Sequence, residues 1–171
     1  SILAHIDIFG ALSMLFFGIG WAKPVPIDTR YFKRPKLYMA ITAVMGPVAN
    51  LLAAFVGVLI LKLIVFISVD FLAAGFGYYV FRFLLYYIQI NIFLAVFNFL
   101  PIPPLDGSKV VFMFLPNSWV AFIYRYQMII SIVFIALLFS NILSIPLNFL
   151  SGGVFNGMMA IVDLPFRMSL L

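Results

Sequence analysis

The stretch Asn98-Phe-Leu-Pro101-Ile-Pro103-Pro104-Leu-Asp106-Gly107 gathers residue types that could do chemistry. Prolines at 101, 103 and 104 remove three amide donors and exclude helix-interior geometry. Each also pushes the preceding residue toward extended backbone. An extended segment should therefore end an apolar helix and deliver a carboxylate, Asp106. At membrane depth, irregular backbone is tolerated only against protein or along a water-filled cavity. An ionisable group there is a functional candidate by default. The competing reading is structural: Asp106 is the N-cap of a helix starting near Gly107, since Asp is a preferred cap residue. On position alone the two readings are even.

Three amides widen the constellation. Asn91, Ala95 and Asn98 recur at spacings of four and three, so they share a helix face. Asn50, in Gly46-Pro47-Val48-Ala49-Asn50, adds an amide on an earlier helix. Amides buried in a membrane bond across helices or line a polar cleft, and both readings stand. His5, in His5-Ile-Asp7, is the single histidine, and with Asp106 alone it would leave a metal under-coordinated. There is no cysteine, which excludes disulfides and thiolate metal sites.

The elements that must position these residues are membrane helices. Hydrophobic residues are 66% of the 171 and charged residues only 9%, too few to solvate a water-facing surface. A lipid-facing surface is what remains, and an all-α integral membrane bundle is expected. Residues 1–20 are apolar but interrupted, and read as a re-entrant or interfacial piece, with a hairpin as one form. Residues 21–36 read as a basic interfacial loop, with Trp21 and Tyr31 as anchors. Clear spans are expected over about 37–65, 78–100 and 118–143, and residues 144–171 as an interfacial or short re-entrant tail. That divides a single domain, 1–171, into a segment 1–36, a three-span core 37–143 and a tail 144–171. Ala49, Ala53 and Gly57 recur every four residues and predict a close-packing face, while Lys62 should snorkel outward. The net charge of +5 is concentrated around Lys23, Arg30, Lys33, Arg34 and Lys36. Beside a membrane span this marks a cytoplasmic face rather than nucleic-acid binding. Asp106 then falls on or near the same side.

Taken in order, His5-Ile-Asp7 with Gly20-Trp21-Ala22-Lys23-Pro24-Val25-Pro26, then Gly46-Pro47-Val48-Ala49-Asn50, then Asn98 through Asp106-Gly107, resemble the site-2 protease family in its compact bacterial and archaeal branch. The resemblance covers roughly residues 4–115. It implies packed transmembrane helices around a zinc ion near the cytoplasmic side of a bacterial or archaeal cell membrane. It implies a metalloprotease cleaving transmembrane protein or peptide substrates in regulated intramembrane proteolysis. Carried over, Asp106 is a zinc ligand, Asn98 lines the cleft and holds the substrate backbone or oxyanion, and Asn50, Pro101 and Pro103 shape the substrate path.

The family's other ligands and its general base come from an HExxH helix upstream of the position matching His5. This sequence has no glutamate, so it holds no such motif and no general base. The expectation is that the intact protein supplies that helix and that these 171 residues alone neither bind zinc in a three-ligand site nor hydrolyse peptides. The alternative is a non-catalytic scaffold or chaperone that binds transmembrane segments on the same fold. A third class, a transporter using the amides and Asp106 as an ion path, is disfavoured by the proline-rich motif.

Overall fold

The computed structural model describes residues 32–73 and 75–168. The expectations for 1–31, including His5, Asp7, Trp21 and Tyr31, lie outside the described residues. The chain divides at Pro35, and the helices pack on one another within the unit Lys36–Leu171. The described residues form seven helices and no strand: α1 Pro35–Ile67, α2 Val69–Ala73, α3 Gly75–Asn98, α4 Gly107–Phe114, α5 Asn117–Arg125, α6 Gln127–Phe139 and α7 Ser144–Met168. The all-α membrane architecture expected from composition is what the structure shows.

Among the described residues, three helices are long and apolar enough to cross a bilayer: α1, α3 and Ser144–Asp163 of α7. At 33 residues α1 is ~50 Å long, more than the ~30 Å hydrocarbon core, so it tilts or projects. Its outward side carries exposed Leu52, Val56, Ile60 and Leu63, a surface suited to lipid. The expected third span, 118–143, is instead two helices, α5 and α6, bent by 65° at Tyr126. No proline or glycine marks that break, and nothing in the local sequence explains it. The expected interfacial tail is also different, because α7 is a continuous helix of 25 residues. Pro146 does not prevent it, since a proline in the first turn costs no intrahelical hydrogen bond.

The core joins α1, α3 and α7 through Ala54, Val58, Leu61, Leu84, Ile88, Ile92 and Val162. On α1 the buried stripe is Ala40, Ala43, Pro47, Ala54, Gly57, Val58 and Leu61. The predicted face of Ala49, Ala53 and Gly57 is therefore displaced around the helix: Gly57 is buried, Ala53 half-buried and Ala49 exposed. Gly57 sets the approach of α3. A Cβ there would lie 2.8 Å from Ile88 Cγ1 and 3.1 Å from Tyr87 Cδ1. Lys62 does not snorkel freely. Its Nζ pairs with Asp163 Oδ1 of α7 at 2.6 Å, with both side chains part-exposed.

This packing sets two expectations for stability. Gly57→Leu should force α1 from α3 and cost about 1–3 kcal/mol, read as a lowered unfolding midpoint in detergent micelles. Lys62→Met and Asp163→Leu should each destabilise the protein by stranding a charge. The double variant should recover most of the loss, because two apolar residues replace the pair with little penalty.

Candidate functional site

The proline-rich segment lies between α3 and α4, and its backbone is irregular from Phe99 to Asp106. The helix ends as Phe99 N–H donates to Ala95 O at 3.1 Å and Leu100 N–H to Phe97 O at 3.1 Å. The Pro103–Pro104 peptide is cis. Leu105 N–H then donates to Ile102 O at 2.9 Å, which turns the chain toward Asp106. Pro103 and Leu105 are buried, whereas Pro101 and Pro104 are exposed. Ile102 shares an apolar cavity of about 220 Å³ with Val133, Phe134 and Leu137 of α6. Phe97 packs on Phe134 with ring centroids 5.7 Å apart. The segment thus rests against protein, as irregular backbone at membrane depth requires.

Gly107 fixes the position of Asp106. A Cβ at Gly107 would lie 2.3 Å from Phe99 O and 2.5 Å from Leu100 O. Only a hydrogen fits against that backbone, so α4 starts directly against the end of α3. Ser108, buried beside it, donates its hydroxyl to Leu105 O at 2.7 Å. At the other end of α4, Lys36 Nζ donates to Leu115 O at 2.6 Å. A lysine satisfying a carbonyl at a helix C-terminus is favourable for both hydrogen bonding and the helix dipole. It ties the start of α1 to the end of α4.

Asp106 occupies the N-cap position of α4, yet its side chain makes no capping hydrogen bond. The carboxylate does other things. Lys109 Nζ donates to Oδ1 at 2.7 Å. Oδ2 faces α1, lying 3.8 Å from where a Cβ on Gly46 would be. A Cβ at Gly46 would meet that oxygen in ordinary van der Waals contact. Asn50 lies one turn along α1 from Gly46, on the same face. The structure thereby brings the Asp-Gly segment against the Gly-Pro-Val-Ala-Asn segment.

The amides are less engaged. Asn50 and Asn98 are half-buried, and neither makes a side-chain hydrogen bond among the described residues. Asn91 Nδ2 donates back to Tyr87 O at 2.8 Å, so its amide is spent within α3. Lys109 was legible as a neighbour three residues from Asp106, the spacing of a helical ion pair. The Lys36 contact was not legible, because 79 residues separate its partners.

The donor set is small. Among the described residues no group of three or more His, Cys, Asp or Glu side chains could hold a metal ion. These residues offer one carboxylate at the site, and by themselves they do not fit a zinc ion.

Part of the chain is similar to known proteins. Residues 61–141 match the model of Peptidase family M50, a stretch that includes Asp106 and the whole proline-rich segment. A protein of Bacillus subtilis (strain 168) named "Putative zinc metalloprotease YwhC" is 40% identical over 109 residues, or 64% of this chain and 49% of that protein. The chain thus spans about half the length of this relative. No solved structure matches the chain significantly.

Gly107→Ala should displace Asp106 and cost about 1–3 kcal/mol through overpacking. Ser108→Ala should cost only about 1 kcal/mol, the net worth of one hydrogen bond. Thermal unfolding of both variants in the same detergent checks the order.

Proposed function

We propose that this chain forms part of a zinc-dependent intramembrane protease that cleaves transmembrane segments of membrane proteins, with Asp106 as one metal ligand. The observation that carries the reading is the setting of Asp106. A buried glycine contact sets its carboxylate at the end of a membrane helix, with Oδ2 facing Gly46. The matching Bacillus subtilis protein is named "Putative zinc metalloprotease YwhC".

A catalytic zinc takes three protein ligands and leaves a fourth position for water. In this reading the remaining donors and the general base are residues other than those described. Asn98 and Asn50 line the cleft with uncommitted amides, suited to a substrate backbone. Pro101 and Pro103 keep the adjoining wall out of helix, which suits a locally unwound substrate. The site faces the cytoplasmic side of a bacterial or archaeal cell membrane, by the charge of Lys33, Arg34 and Lys36 and of Lys109.

A second reading, a non-catalytic scaffold for transmembrane segments, is favoured by one feature. Among the described residues, the only carboxylate at the site is already paired with Lys109. One experiment separates the two. In the intact protein, Asp106→Ala should lower both bound zinc, by elemental analysis, and cleavage of a single-span reporter by at least about a hundred-fold, with helix content unchanged. Intact protein that holds no zinc and cleaves nothing, yet retains the reporter, would favour the scaffold.

A further inference from the structure

Helix α5 departs from its neighbours in both direction and surface. It is bent by 65° from α6 at Tyr126. With α6 near the bilayer normal, such a bend lays α5 within about 25° of the membrane plane. The length of α6 agrees. Its 13 residues span ~20 Å, short of a ~30 Å hydrocarbon core. A helix lying in the interface, with its apolar face sunk ~5–10 Å, makes up the difference.

The residues of α5 sort into three stripes. Val120 and Ile123, three apart, are half-buried and mark the side turned to the protein. Tyr124 sets its ring 5.4 Å from that of Phe112, which holds α5 against α4. Trp119, Phe122 and Tyr126 recur at spacings of three and four and are exposed. Asn117, Ala121 and Arg125 recur every four residues, with Ser118 seven before Arg125, and these are exposed too. Side by side, an aromatic stripe and a polar stripe fit a boundary between hydrocarbon and water. A cavity of about 320 Å³ is lined by Ser118, Trp119 and Phe122, one hydroxyl beside two aromatic rings.

Charge narrows the occupant. No acidic residue occurs between Asp106 and Asp163, so Arg125 has no carboxylate on α5 or α6. The two flanking carboxylates are taken, by Lys109 and by Lys62. Before the other end of α5, Lys36 Nζ reaches the carbonyl of Leu115, two residues ahead of Asn117. That carbonyl accepts a hydrogen bond but has no charge to cancel that of Lys36. A half-apolar helix with a cation toward each end suits an anionic phospholipid, whose phosphate and acyl chains meet both exposed stripes at once. A soluble anion would leave the aromatic stripe in water.

We infer that α5 lies in the membrane interface and binds an anionic phospholipid, with the phosphate at Arg125 and the acyl chains against Trp119 and Phe122. The eight residues of α4 join Asp106 to the segment before α5, so the lipid anchors the element next to that carboxylate.

Trp119 reports the contact. The intact protein is reconstituted in vesicles of phosphatidylcholine and phosphatidylglycerol, one of the two brominated on its acyl chains so that it quenches nearby tryptophan. The Trp119 signal is the difference between the parent and Trp119→Phe. Bromines near the headgroup should quench it more than bromines near the chain ends. Phosphatidylglycerol should be preferred over phosphatidylcholine by about five-fold, the weight of one basic side chain at an anionic surface. Arg125→Gln should remove most of that preference and Arg125→Lys should keep it. In the parent, salt of about 1 M should remove it by screening, a result that needs no variant. Equal quenching by the two lipids overturns the proposal, as does a preference that survives both Arg125→Gln and salt. Stronger quenching near the chain ends overturns it by making α5 part of a span. Absence of quenching by either lipid overturns it by showing α5 covered by water or by another segment of the intact protein. No cleavage is read, so each outcome leaves the protease reading to its own test.

Discussion

Much of this structure depends on the contact of Gly107 with the carbonyls of Phe99 and Leu100. A membrane helix cannot simply stop, because its last carbonyls need partners that lipid does not provide. Here α3 stops against the first turn of α4, so closely that no side chain fits between them. The prolines make the intervening segment cheap to leave unbonded, since each has no amide hydrogen to satisfy. Phe134 and its neighbours on α6 cover the segment, and Lys36 holds the far end of α4. Asp106 is carried on this frame, so its direction is a property of the backbone around it.

That frame explains how Asp106 can sit at an N-cap position without acting as a cap. Lys109 engages one oxygen, and the bare backbone of Gly46 faces the other. The capping reading of the sequence thus holds for the position of Asp106 but not for its side chain. The family match over residues 61–141 includes Asp106 and Lys109.

Composition and the run lengths of apolar residues made the helical membrane class and the spans α1 and α3 legible. The proline-rich break was legible for a stereochemical reason that needs no tertiary context. The bend at Tyr126 was not, because no proline or glycine announces it. The length of α7 was obscured by Pro146 and the Gly152-Gly153 pair, residues that weaken a helix locally but that packing on α3 outweighs. The small-residue face of α1 was misplaced because spacing alone does not say which of several small residues meets a neighbour. At the site, Asp106 and its segment were legible, but the approach of Gly46 to Asp106 and the role of Lys36 depend on long-range packing.

The Lys62–Asp163 pair bears on how the chain enters a membrane in the first place. Asp163 closes the least apolar of the three candidate spans, and a lone carboxylate opposes insertion of a helix into lipid. Its counter-charge stands on α1, about a hundred residues earlier in synthesis. By the time α7 leaves the ribosome, Lys62 has long been in place to receive it. Order of synthesis and charge complementarity together let the least apolar of these three spans settle after the other two, against helices that precede it.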